Sequence, residues 1–153
     1  MERHGERAYE LFLGGCNCAQ AVLLAFAPDA GLTERQALQI ASSFGGGIGG
    51  MREVCGAVSG MLMAAGLLYG YEPGDRAGKS AHYACVRELA DRYRAENGSI
   101  ICRELLGLAG QTAGPQPSER TAAYYKKRPC PELCRIAANI LDDYIAEHPI
   151  EKE

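Results

Sequence analysis

The chain has no tryptophan, and only three phenylalanines and eight tyrosines stand among its 153 residues. Little is on offer for a cofactor site built on aromatic stacking. Positive charge is not in excess either: 16 Lys and Arg against 19 Asp and Glu leave a formal net charge of −3, with the signs interspersed. That excludes the basic stripe of a nucleic-acid binder. No segment alternates apolar and polar residues with period two, so no sheet is expected. The first ten residues hold no apolar signal core, and the apolar stretch 54–70 is slightly short for a bilayer span and interrupted by Gly56, Ser59, Gly60 and Gly66. The expectation is a cytoplasmic protein with no membrane insertion. There is no phosphate-binding G-x-x-x-x-G-K-[ST] loop, no Cys-x-x-Cys-His haem attachment, no internal repeat and no low-complexity tract.

What is present suits one domain, because a chain of this length buries roughly 68 to 70% of its unfolded surface without staples. Helical signals follow one another. Ala8, Leu11 and Phe12 share a face over residues 3–13, closed by Gly14-Gly15. Asn17 reads as the N-cap of a second helix carrying Ala19, Val22, Leu23 and Phe26, which Pro28-Asp29-Ala30-Gly31 breaks. Thr33 to Gln36 forms a capping box for a third helix with Leu38, Ile40, Ala41 and Phe44.

The glycine run Gly45 to Gly50 then feeds a helix from about Arg52 to Gly70 that is small or apolar on every face. Such a helix is normally enclosed by others. After a turn at Gly70 to Gly74, a long helix from Asp75 to Asn97 bears Ala81, Cys85, Leu89 and Tyr93 four apart. Ser99 caps a short helix from Ile100 to Leu106, residues 107–118 form a long Gly/Pro-rich loop, and a brief helix is expected over 119–126. Pro131 suits the first position of a last helix, where its missing donor costs nothing. The predicted fold is an all-α single-domain bundle of about six to seven helices around a buried central helix (about 52–70).

Seven cysteines, an odd number, point in a reducing compartment to ligands or redox groups rather than staples. Cys18, Cys55, Cys102 and Cys130 each fall near a predicted helix N-terminus, where unpaired N–H groups and the positive end of the macrodipole favour a thiolate. Arg52, Arg103 and Arg128 would push the same way. Four thiolates are the ligand count of a tetrahedral zinc or an iron-sulfur cluster. Cys85, mid-helix on an apolar face, reads as core. Cys16 and Cys134 each sit close to one of the four and either resolve an oxidised neighbour or are incidental.

The glycines also have two readings. Gly45 to Gly50 satisfies G-x-G-x-x-G, but it follows a helix rather than a strand, so a dinucleotide is not expected. Gly45, Gly46 and Gly47 instead supply positive φ or close approach near Cys55, and Gly56 and Gly60 leave a groove for a neighbouring helix or a cofactor. Acid-base catalysis finds little support. His4 and His148 are terminal, His82 has no evident relay, and Glu132, Asp142 and Asp143 read as a solvated face. Met51, Met61 and Met63 read as core filler.

The segments Asn17-Cys18-Ala19-Gln20-Ala21-Val22, Phe44 to Gly47, Cys55-Gly56-Ala57-Val58-Ser59-Gly60, Ile101 to Gly107 and Cys130-Pro131 resemble the C_GCAxxG_C_C family of redox-active proteins over nearly the whole chain. The resemblance implies a bacterial or archaeal redox role, with Cys18, Cys55, Cys102 and Cys130 as the four defining cysteines. Three functions stay open. The favoured one is an iron-sulfur protein for electron transfer or redox sensing. The second is a thiol-disulfide protein pairing Cys18 with Cys55 and Cys102 with Cys130, although the four contain no Cys-x-x-Cys. The third is a non-enzymatic module with a structural zinc, disfavoured because the spacings of 37, 47 and 28 residues contain no close pair. A redox partner protein is expected, and a homodimer is left open.

Overall fold

The structure, a computed structural model, describes residues 3–107, 120 and 129–150. Among them are seven α-helices and no strand: α1 Gly5–Leu13, α2 Cys18–Ala30, α3 Glu34–Ala41, α4 Gly56–Tyr69, α5 Arg76–Asn97, α6 Cys102–Leu105 and α7 Cys130–Glu147, with a 3-10 turn at Ser42–Phe44. The expected loop over 107–118 and the helix over 119–126 fall almost entirely outside the described residues. No described helix is long and apolar enough to cross a membrane.

Local chemistry sets most boundaries. Asn17 and Gln20 close a reciprocal capping box at α2, as do Thr33 and Gln36 at α3, each satisfying two orphan donors. Gly31 (φ 77°) and Gly98 (φ 90°) end α2 and α5 in the left-handed conformation. α2 ends within the predicted Pro28–Gly31 stretch, running through Pro28 to Ala30. So close to the C-terminus, the missing N–H removes a single helical bond.

α2 packs against α1, α3, α4 and α7, while α4 also meets α5 and α7. The centre is therefore a pair of helices, α2 and α4, rather than α4 alone. Val22, Leu23, Phe26, Val58 and Met61 are all fully buried there, joined by Leu89 and Tyr93 of α5 and Leu141 of α7.

Several expectations need correction. The central helix starts at Gly56, not near Arg52, because Arg52 has φ 60° and its backbone is bonded elsewhere. Ile40 (50% exposed) and Met51 (51%) face solvent, as does Ala81; on α3 the buried positions are Ala37 and Ala41. Cys130, not Pro131, is the first residue of α7.

Asp142 is buried rather than solvated, and so is His4. His4 Nδ1 lies 2.7 Å from Asp142 Oδ1 and Nε2 lies 2.5 Å from Asp29 Oδ2, while the ring stacks on Phe26. The backbone N–H of His4 donates to Asp142 Oδ2 at 2.7 Å. These contacts tie the entry of α1 to the ends of α2 and α7.

Candidate functional site

The four helix starts carry the cysteines the sequence assigned to them. Cys18 is the first residue of α2, directly after its N-cap Asn17, Cys102 the first of α6 and Cys130 the first of α7; Cys55 is the N-cap of α4. All four are buried, at 9%, 7%, 8% and 4% exposure respectively.

The starts of α4 and α6 are held side by side by the backbone. Val54 and Ile101 form an antiparallel bridge. The N–H of Cys55 donates to Ile100 O at 2.8 Å, that of Cys102 to Glu53 O at 2.6 Å, and that of Arg103 to Arg52 O at 3.2 Å. The glycine loop makes room for this contact. At Gly47 (φ 70°) a Cβ would stand 2.7 Å from Cys102 Cβ and 2.7 Å from Glu53 N, so no side chain fits. Gly56 and Gly60 do the same between helices: their added Cβ atoms would lie 3.0 Å from Cys18 Cβ and 2.6 Å from Ala19 O, which brings α4 against the start of α2. Gly45 and Gly46 are similarly crowded, by the Asn17 side chain and the Gly50 backbone.

Two groups of sulfurs result. In the first, Cys130 and Cys134 are the neighbours that act most strongly on the Cys18 thiol, in opposite senses. Cys134, one turn along α7 from Cys130, is fully buried, with its Sγ donating to Cys18 O at 3.8 Å. In the second, Cys55 and Cys102 are electrostatic neighbours. The buried Tyr93 hydroxyl lies 3.3 Å from Cys55 Sγ, and Arg52 Nη1 lies 3.7 Å from Cys102 Sγ. Arg52 is itself buried, and its Nε has no hydrogen-bond partner. Cys55 and Cys18 also feel each other's charge, so the groups adjoin.

The expected thiolates do not form by helix position alone. The Cys130 interaction favours ionisation of Cys18, but the interaction with Cys134, burial and the neighbouring Cys134 and Cys55 charges outweigh it and hold Cys18 well above the ordinary thiol range. Burial pushes Cys55 up to about 11, against the help of Tyr93 and the N–H groups of Ala57 and Val58; these N–H groups close no cap hydrogen bond. Burial likewise raises Cys134. A helix N-terminus is worth about 0.3–1 kcal/mol to an anion, less than one pKa unit, whereas full burial shifts a group by up to about 3–5 units. Desolvation therefore wins.

Cys16 is half-buried, raised by burial, and its charged neighbours are Arg120 and Arg7 rather than another sulfur. Cys85 sits in the core as expected, beside Tyr144. Among the described residues, which include all seven cysteines, no group of three or more His, Cys, Asp or Glu side chains is placed to hold a metal ion.

Tyr93 was missed as a site residue. Its signal was present in the sequence: it continues the buried Cys85–Leu89 stripe of α5, and a buried tyrosine hydroxyl needs a partner.

This is an all-α protein built around a buried cluster of cysteines gathered from separate helix starts. A family model described as putative redox-active protein (C_GCAxxG_C_C) matches residues 16–144. The chain belongs to that family. No curated protein and no solved structure matches it.

Proposed function

We propose that the chain is a thiol-disulfide redox protein in which Cys18 and Cys130 alternate between two thiols and one disulfide. The observation that carries this reading is the meeting of the α2 and α7 starts, where Cys134 Sγ donates to Cys18 O at 3.8 Å and the Cys130 side chain, one turn back on α7, favours ionisation of Cys18. Cys18 and Cys130 keep a small residual exposure, 9% and 8%, where Cys134 keeps none.

The chemistry follows from thiol-disulfide exchange. One of the two sulfurs, as thiolate, attacks a sulfur of a partner disulfide, and the partner's other sulfur leaves as a thiol. The second cysteine then attacks the mixed disulfide, forming the Cys18–Cys130 bond and releasing the partner's remaining thiol. Two electrons and two protons pass to the partner. A protein disulfide is the expected oxidant, and neither nucleic acid nor membrane takes part; a homodimer is compatible with this chemistry but not needed for it.

The competing reading is an iron-sulfur cluster on Cys18, Cys55, Cys102 and Cys130, or a zinc on the same four. Metal analysis and thiol counting on freshly, anaerobically isolated protein separate them. The dithiol reading expects colourless, iron- and zinc-free protein that loses thiols in pairs on oxidation, with a mapped Cys18–Cys130 bond. Brown protein containing iron that Cys18→Ser abolishes would replace it with a cluster, and one zinc per chain would replace it with a structural site.

A further inference from the structure

The sulfur of Cys18 has two partners, not one. Cys130 and Cys134 stand one turn apart on α7, so their side chains lie on the same face, and both interact with the Cys18 thiol. Cys134 also donates to the carbonyl of Cys18 at 3.8 Å, which holds it against the α2 start. Their exposures differ: Cys130 is 8% exposed and Cys134 is 0%.

Building on the proposed dithiol chemistry, we propose that Cys18 is a shared sulfur and Cys134 a third redox thiol, so that a disulfide formed between Cys18 and Cys130 migrates inward to become Cys18–Cys134. The step is an internal exchange. Cys134, as thiolate, attacks Cys18 Sγ; the Cys18–Cys134 bond forms, the Cys18–Cys130 bond breaks, and Cys130 leaves as a thiolate that takes up the proton Cys134 gave up. No electrons are gained or lost, so no oxidant is needed beyond the one that made the first bond. The inner disulfide is shielded from external thiols, since exchange depends on access to the attacked sulfur. Cys130 is returned as the partner-facing thiol.

The test is a time course of full-length protein pulsed with oxidised glutathione, acid-quenched, digested with Glu-C and mapped by mass spectrometry. Glu-C cuts after Glu132 and so separates Cys130 from Cys134. The expected result is early Cys18–Cys130 that gives way to Cys18–Cys134, with loss of that transfer in Cys134→Ala and retention of a Cys18–Cys134 bond in Cys130→Ala. Cys18–Cys130 persisting alone at every time in the wild type overturns the migration and leaves the dithiol function standing. No bond to Cys18 at any time overturns both. The wild-type course decides the matter even if a variant folds poorly.

Discussion

Replacing Tyr93 with Phe removes one oxygen from the centre of the site and keeps the ring that fills the space. Tyr93 is 0% exposed and its hydroxyl lies 3.3 Å from Cys55 Sγ; burial holds the phenol far above its usual range, so the hydroxyl stays protonated and donates. A hydrogen bond to a charged group is worth about 1.5–3 kcal/mol, and 1.36 kcal/mol corresponds to one pKa unit. The variant should therefore ionise Cys55 about one to two pH units later than the wild type. Wild-type Cys55, pushed up to about 11, is half thiolate at that pH. In Tyr93→Phe the fraction there should fall to about a tenth or less. Carbon-13 labelling of cysteine Cβ reads ionisation directly without requiring reagent access, and Cys55→Ser identifies the resonance. Stability should change by only about 0.5–1.5 kcal/mol, because no cavity opens. An unchanged or earlier Cys55 titration in a folded variant would refute the assignment of Tyr93 as a donor to this sulfur.

Three further outcomes follow from the packing and the charges. His4→Ala removes the imidazole from the buried Asp142, leaving it the backbone N–H of residue 4, and should cost up to about 3–5 kcal/mol. Burial lowers the His4 pKa, but the hydrogen bonds to Asp142 and Asp29 prevail and raise it above 6.5. Its stabilisation is thus fully present below the unfolded value and fades as pH rises through the folded one, so the urea-unfolding gap between wild type and variant should narrow with rising pH; a pH-independent gap would contradict this. Gly60→Ala pushes a Cβ to 2.6 Å from Ala19 O and should cost about 1–3 kcal/mol by forcing α2 from α4, which an unaltered melting temperature would disprove. Because the Cys55 value rises from 9.0 to about 11, the folded state should lose about 2.7 kcal/mol of stability as pH climbs through that window. Cys55→Ala should flatten this alkaline limb of the stability curve, and an equally steep limb in the variant would count against it.

Helix boundaries that depend on neighbours in sequence were legible. Asn17 with Gln20, Thr33 with Gln36, Gly31 and Gly98 each act within one turn, and each does in the fold what its chemistry dictates. The start of α4 was misplaced because its determinant is remote: residues 53–55 bond to residues 100–102, which takes the backbone out of helical geometry until Gly56. His4 and Asp142 were misread for the same reason, since each looks like a surface residue until the other, nearly a full chain length away, satisfies it. The cysteines divide along this line too. Their placement at helix starts is a local property and could be read. Cys18 meeting Cys134 is a product of α2 packing against α7, which no local signal announces.

The conflict between helix position and burial bears on which redox chemistry suits the site. Helix starts favour negative sulfur by less than one pKa unit, while the surroundings of Cys18, Cys55 and Cys134 oppose it and prevail. A buried group resists whichever form carries charge, so a site of this kind is least disturbed by a reaction whose end states are both neutral. Two thiols and one disulfide meet that condition, because two protons leave with two electrons and no charge stays behind. Burial, which looks like an obstacle to cysteine reactivity, thereby becomes the feature that favours a two-electron, two-proton cycle and that ties its rate to the pH at which the first sulfur ionises.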